Sequence, residues 1–266
     1  LDKNGEKMSK RKGNVIDPFT TLTTYGADAT RWYMISNADP WENLKFDLEG
    51  ITEVRNKFFG TLFNTYNFFA IYANVDQFKV TNGKNIPIET RPELDRWILS
   101  RLQSLIKEYK INMDNYEPTL STRLIERFVN DDLSNWHVRL SRRRFWKTDS
   151  SNEKISAFIT LYECLISVSQ LIAPFAPFFA DWLYKNLIEG SNENKSNEIV
   201  SVHLSTLPIQ NDSWVNLDLE RRMNYAQRIS SLVLSLRKSE KIRVRQPLSK
   251  ILLPILDENF QSDIKL

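Results

Sequence analysis

Apolar residues recur at three- and four-residue intervals along most of this chain, and that spacing predicts helices rather than strands. Over 49–74, Ile51, Val54, Phe58, Phe59, Leu62, Phe63, Tyr66 and Phe69 mark one face of a long amphipathic helix. Pro92-Glu93 opens a second, with Leu94, Ile98, Leu102, Leu105, Ile106 and Tyr109 as its buried stripe. Pro118 opens a third, whose expected apolar line runs Leu120, Leu124, Phe128, Leu133, Trp136, Leu140. After a turn over 148–152, a fourth helix spans 153–172, apolar nearly all round as a central bundle helix should be. It pauses at Pro174 and Pro177 and resumes through Leu187, and a fifth helix covers 217–240.

The rest is connection. Residues 1–20 form a charged loop broken by Gly5, Gly13 and Pro18, and a short helix over 27–36 stops before Asp39-Pro40. Residues 82–87 are a polar link, 190–197 a solvated loop, and 200–204 a short extended piece. The tail 242–254 alternates more like a strand, with no partner strand in the sequence. The expected fold is mainly α: an antiparallel helical bundle with a loop-rich N-terminal head and a short truncated α/β tail. Its expected divisions are a head and connecting segment (1–48), the bundle (49–204), and the last helix with the start of a junction region (205–266).

Composition narrows the chemistry. Glycine supplies 7 of 266 residues and none between 84 and 189, well under a usual share of about 7%. Nucleotide-binding sheets and β-rich folds need glycine for tight turns, so neither fits the bulk of the chain. One cysteine excludes an internal disulfide framework and a cysteine-rich zinc site, and suits a cytoplasmic protein. The two histidines, His137 and His203, offer no metal-ligand spacing, so no metal site is expected. No unbroken apolar run approaches the ~20 residues of a membrane span, and the polar N-terminus is not a signal peptide. The missing initial methionine points to an excised piece, and a monomer is expected. Net charge is only +3, so any anionic partner must be met by local charge.

Two places hold such charge. Lys7-Met8-Ser9-Lys10-Arg11-Lys12-Gly13 packs four cations into six residues beside a glycine. A mobile cationic loop suits polyphosphate, because compact ammonium groups can follow charge developing on phosphoryl oxygens. A plain solvated charge run is the alternative. The second is 137–147, where Arg139, Arg142, Arg143, Arg144 and Lys147 stand without an acid. Arg139, Arg142 and Arg143 share a helix face, and Trp136 and Trp146 flank it as stacking surfaces for unpaired bases. Cations ending a helix also complement its dipole, and Trp136 lies on the apolar line, which favours a core role for it. A further basic zone, 237–250, has net charge +5; the solvated end of the fifth helix is the slightly favoured reading and an extension of a phosphate track the alternative. Cys164, between Leu161 and Leu165, is a core residue, and the phenylalanines of 58–69 are a helix face.

Lys7-Met8-Ser9-Lys10 resembles the Lys-Met-Ser-Lys-Ser signature of class I aminoacyl-tRNA synthetases, with Arg11 in place of the last serine. Gly13-Asn14-Val15-Ile16-Asp17-Pro18 and Tyr25-Gly26-Ala27-Asp28-Ala29-Thr30-Arg31 resemble the segments that follow it in the isoleucine, valine and leucine members. Leu94-Asp95-Arg96-Trp97-Ile98-Leu99-Ser100, Asp132-Leu133-Ser134-Asn135-Trp136-His137-Val138-Arg139 and Arg142-Arg143-Arg144-Phe145-Trp146 are most similar to the isoleucine branch. The resemblance implies that Lys7 and Lys10 act catalytically on ATP. Met8, Ser9 and Arg11 would complete the ATP loop, with Mg2+ accompanying the nucleotide. It implies that Arg139, Arg142, Arg143, Arg144 and Lys147 bind tRNA(Ile) near the anticodon stem. The family's His-x-Gly-His signature is absent, because neither histidine has that context. The catalytic and editing domains of the same enzyme would then be partners outside these residues, and the 266 residues alone are expected neither to activate isoleucine nor to edit. A fragment of the valine enzyme, a self-standing helical RNA-binding module and a protein-interaction bundle remain the alternatives.

Overall fold

The computed structural model describes residues 1–148, 151–190, 201–254 and 258–265, which form two compact units, Leu1–Val215 and Asn216–Leu266. In the first, Asp17 caps α1 (Pro18–Tyr25) by accepting from the Thr20 N–H at 2.7 Å, and Pro18 presets the first turn. Gly26, at φ +89°, turns the chain into α2 (Ala27–Asn37). Asp47 caps α3 (Leu48–Val54), which passes through a π-helical turn at Arg55–Phe59 into α4 (Gly60–Val75), one continuous rod. The short α5 (Val80–Lys84) precedes α6 (Glu93–Asp114). Next, α7 (Pro118–Arg127) runs into an eleven-residue π-helical stretch, Phe128–Val138, and then α8 (Arg139–Trp146). The bundle closes with α9 (Asn152–Ile172) and α10 (Pro177–Gly190).

Helix α9 is the axis of the core. Phe158, Ile159, Leu161, Cys164 and Leu171 are buried on different sides of it, as an all-round apolar helix requires. By length and composition α9 is apolar enough to cross a membrane, yet 72% of that stretch is buried inside the bundle. Phe158 gathers an aromatic cluster with Phe78, Phe145 and Phe69. The head is welded to this core through α2. Trp32 is fully buried, stacked on Phe58 at 4.3 Å, and its indole N–H donates to Glu126 Oε1 at 2.6 Å. Asp28 accepts from the Phe179 N–H at the start of α10 at 2.7 Å, an acid placed on a positive helix end. Thr119 and Arg123 of α7 donate to the last carbonyls of α2, those of Ile35, Ser36 and Asn37 among them.

The second unit holds α11 (Leu217–Ser239), capped by Asn216, and α12 (Glu258–Lys265). Tyr225 meets Phe260 edge-on at 5.0 Å, and Arg221 bridges Asp263 at 2.7 Å. Arg237 donates to the carbonyls of Arg243 and Gln246, folding the following segment back on the helix end.

Several expectations change. Helix α1 begins at Pro18, inside the stretch 1–20 expected as loop, because Asp17-Pro18 is an N-cap signal, and α5 runs into the expected polar link. Val202–Leu204 is a 3-10 turn capped by the Ser201 hydroxyl rather than an extended piece; Val200 lies outside the described residues. Over 242–254 the chain makes turns and irregular backbone and no strand, since no strand is there to pair with it among the described residues. Most of the turn centre at 149–150 and the loop residues 191–197 lie outside the described residues. Head and bundle, expected as separate divisions, share one compact unit. Leu140, expected on the buried line of the third helix, is 56% exposed. The π stretch is the reason: its wider turn rotates everything after residue 128 relative to an α-helical projection.

Two glycines test the packing. A Cβ on Gly83 would sit 2.5 Å from Ile159 Cβ, a branch point that cannot swing aside, whereas one on Gly60 meets nothing nearer than 3.5 Å. Gly83→Ala is expected to destabilise by about 1–3 kcal/mol through overpacking. Gly60→Ala is expected to stabilise by about 0.5–1 kcal/mol through helix entropy. Urea unfolding of the two variants checks both signs.

Candidate phosphate-binding loop and nucleic-acid interface

The head loop is held by its uncharged residues and leaves its cations free. Leu1 and Phe46 pair through their backbones, joining the start of the chain to the segment before α3. Asp2 accepts from the Asn4 and Glu6 N–H groups and from Asn14 Nδ2 at 3.0 Å, and those bonds, the Asn14 bond foremost, hold its carboxyl below the ordinary range. Asn14 Oδ1 in turn accepts from the Ser9 N–H at 2.9 Å. The Ser9 hydroxyl caps the 3-10 turn Lys10–Lys12, and Gly13, at φ +67°, closes it. Met8 helps line an apolar cavity of about 450 Å³ with Ile16, Leu22, Met34 and Phe46. Lys7, Lys10 and Arg11 are exposed, and none has a carboxylate partner among the described residues. Lys12 instead pairs with Glu6 at 3.0 Å.

The second site is α8 and the stretch before it. Arg139, Arg142 and Arg143 are exposed on one face, with no carboxylate partner among the described residues. Lys147 is exposed too but bonds Glu153 at 2.9 Å. Trp146 is 56% exposed, while Trp136 is half-buried and meets Trp97 edge-on at 6.5 Å. Arg144 is a correction to the expected RNA face. It is 8% exposed, and its guanidinium forks onto Asp95, with Nη1 to Oδ1 at 2.7 Å and Nη2 to Oδ2 at 2.5 Å. Nη2 also donates to the Glu153 carbonyl at 2.6 Å. A guanidinium used in this way has no fork left for a phosphate.

His137 completes the cluster, its Nε2 lying 2.9 Å from Asp95 Oδ1 with both side chains fully buried. Burial alone would raise the Asp95 carboxyl; the bonds from Arg144 and His137 overcome it and hold the group below its ordinary value. The sequence contained a signal for this cluster that apolar periodicity passes over: Asp95 sits between Leu94 and Ile98 on a buried stripe, where a carboxylate needs a partner. In the second unit, Lys238, Lys241, Arg243, Arg245 and Lys250 are exposed.

Comparison with known proteins places these features. Residues 95–252 match the family model "Anticodon-binding domain of tRNA ligase", and residues 1–47 match "tRNA synthetases class I (I, L, M and V)". The chain is 56% identical over 265 residues to an isoleucine–tRNA ligase of Cytophaga hutchinsonii, covering 100% of this chain and 24% of that protein. To the isoleucine–tRNA ligase of Bacteroides fragilis it is 54% identical over 258 residues, covering 97% of this chain and 22% of the relative. The chain thus spans about a quarter of the length of the curated relatives it matches. The fold is similar to Mycobacterium tuberculosis methionyl-tRNA synthetase in complex with methionyl-adenylate, with TM-score 0.56 and 15% identity over 76% of this chain and 42% of that one. It is also similar to the Agrobacterium radiobacter LeuRS in a ternary complex with tRNA, with TM-score 0.55 and 20% identity over 81% of this chain and 24% of that one.

Arg144 and Arg143 are expected to behave oppositely. Arg144→Ala strands the Asp95 charge and should cost about 3–5 kcal/mol of stability. Arg143→Ala should change stability by less than about 0.5 kcal/mol. Thermal unfolding of the two variants separates them. The depressed Asp95 carboxyl contributes stability that is complete above its ordinary value of 3.8 and is lost as the pH falls through the lower folded value. An acid titration of stability should show this loss in the wild type. It should be absent when Asp95→Leu and Arg144→Met are combined.

Proposed function

The chain belongs to the class I aminoacyl-tRNA synthetases, with the anticodon-binding domain of a tRNA ligase, and on that premise we propose that it serves as the tRNA-binding part of an isoleucine–tRNA ligase. The whole enzyme activates isoleucine with ATP and transfers it to tRNA(Ile) as a monomer in the cytoplasm. The isoleucine ligases among its relatives favour that amino acid over valine. What supports RNA binding most strongly is the exposed face of Arg139, Arg142 and Arg143, three guanidinium groups left without carboxylates on a helix fixed from beneath. Unpaired arginines on a rigid face match phosphates spaced along an RNA stem.

The head loop has a separate task. In activation the isoleucine carboxylate attacks the α-phosphate, the bond to the β-phosphate oxygen breaks, and pyrophosphate leaves with the electron pair. Charge grows on the departing oxygens, and Lys7 and Lys10 are the exposed ammonium groups that meet it. Met8 in its apolar cavity and the Ser9 cap fix the loop's base, and Arg11 adds a third free cation beside the lysines. Mg2+ accompanies the ATP phosphates.

Titration of tRNA(Ile) against the wild type and an Arg139/Arg142/Arg143 triple alanine variant tests the RNA reading. Wild-type affinity should fall steeply with salt, and the variant should lose about two to three units of the log–log slope through fewer released counterions. Equal affinity and slope in both proteins would exclude this face. In the full-length ligase, Lys10→Ala should slow isoleucine-dependent ATP–pyrophosphate exchange by about 10²–10³-fold while leaving tRNA affinity unchanged.

A further inference from the structure

Ile125, Val129, Leu133, His137, Ser141 and Phe145 step by four residues and are all buried. In an α-helix a step of four overshoots a full turn by about 40°, so five such steps would carry the line about 200° round the helix. The column stays on one side because Phe128–Val138 is π-helical, with the Arg139 N–H donating to the Ser134 carbonyl five residues back. A competing α-period line runs through Val129, Trp136, Leu140 and Arg143. In that register Leu140 is covered and Ser141 turns outward. Apolar burial alone does not set the observed arrangement: it covers Val138 and Phe145 but leaves Leu140 56% exposed, and it buries an imidazole, a hydroxyl and a guanidinium as well. Its distinguishing feature is polar: Arg144 and His137 converge on a fully buried Asp95 presented by α6.

We propose that the Asp95–Arg144 ion pair, joined by His137, is a positioning element that holds Phe128–Val138 in the π register and so selects which arginines of α8 face outward. Selecting a register is the best-attested use of a buried ion pair, which otherwise adds little stability over apolar packing. With the pair in place Arg144 is spent inside the bundle and Arg143 stands free. Without it the segment relaxes toward the commoner α winding, which turns Leu140 and Arg143 toward the bundle and Ser141 away from it. The consequence for RNA rests on the function proposed above; the register itself does not.

The single native cysteine makes the register measurable. Cys164 is fully buried, and burial pushes its thiol well above the ordinary range, so it stays silent toward thiol reagents in the folded protein. Leu140→Cys and Ser141→Cys are made separately, in the wild type and in an Asp95→Leu/Arg144→Met background that removes both charges together. With the ion pair present, position 140 should label at least about tenfold faster than position 141. Without it the order should reverse while circular dichroism keeps its helical amplitude. Adding Leu140→Lys to the pair-free Ser141→Cys protein should restore slow labelling, because a lysine resists burial at 140.

An unchanged order would overturn the proposal. Fast labelling at both positions with loss of helicity would overturn it too, since the pair would then hold the fold rather than its register. Binding of tRNA(Ile) by the pair-free protein without reporters keeps the two readings apart. A reversed labelling order with a reduced salt slope supports both. A reversed order with wild-type RNA binding supports the register claim and contradicts the assignment of this face to RNA.

Discussion

A carboxylate with no access to water governs the bundle. Asp95 is presented by α6 into the core, where a lone negative charge would be costly, so a guanidinium and an imidazole must reach it. Both come from one helical rod, seven residues and about two turns apart, and the underwinding between Phe128 and Val138 keeps their side of the rod in line with buried Ile125 and Val129. The same rod end is tied at two further points. Arg144 donates to the Glu153 carbonyl, and Lys154, buried and paired with Asp76 at 2.7 Å, donates to the Lys147 carbonyl. Phe145, packed edge-on against Phe68 and Phe158, fixes it from the apolar side. The exposed arginines are thus the outer face of a helix whose inner face is fully specified.

The loop at the other end depends on a different kind of anchorage. Lys7, Lys10 and Arg11 stand without carboxylate partners among the described residues because the loop is fixed by other groups: a methionine in an apolar cavity, a serine hydroxyl capping a turn, an asparagine bridging to Asp2. Through α2 the head joins the bundle by a buried tryptophan, by Asp28 on the start of α10, and by α7 side chains capping the end of α2. Glu126, which receives the Trp32 indole, has its carboxyl raised by burial, with that hydrogen bond opposing the shift. Loop and bundle therefore belong to one compact unit, and the charged groups proposed to meet phosphate are set on scaffolds of unlike chemistry.

Period and punctuation in the sequence carried the helices. The buried positions on 93–114 and 153–172 match α6 and α9, because in each the apolar pattern and the winding agree; on 49–74 a π turn at Arg55–Phe59 interrupts the α period, and Phe63 beyond it is 40% exposed. Agreement fails where winding departs from 3.6 residues per turn. Projecting α geometry through 128–138 puts Leu140 inside, and the structure leaves it 56% exposed while burying Arg144. Arg144 could not be told from Arg142 or Arg143 by composition, since the three are consecutive and identical. Only the unmatched carboxylate at Asp95, on another helix, distinguishes them. The strand reading of 242–254 failed for a related reason, because alternation needs a neighbouring strand to become structure and none is described. Signature residues of the head were legible as chemistry, whereas the neutral framework holding them required tertiary contacts to see.

Which arginines α8 presents outward depends on the winding of one stretch of helix, and that winding can be observed directly. Through-hydrogen-bond scalar couplings, measured by NMR on the isotope-labelled protein, identify which carbonyl each amide between 133 and 143 is bonded to. A run of amides coupled to the carbonyl five residues earlier, Arg139 to Ser134 among them, is the predicted result. Couplings to the fourth preceding carbonyl throughout would contradict the account, for an α-helical rod cannot bring both His137 and Arg144 onto Asp95 while keeping Ile125 and Phe145 on the same side.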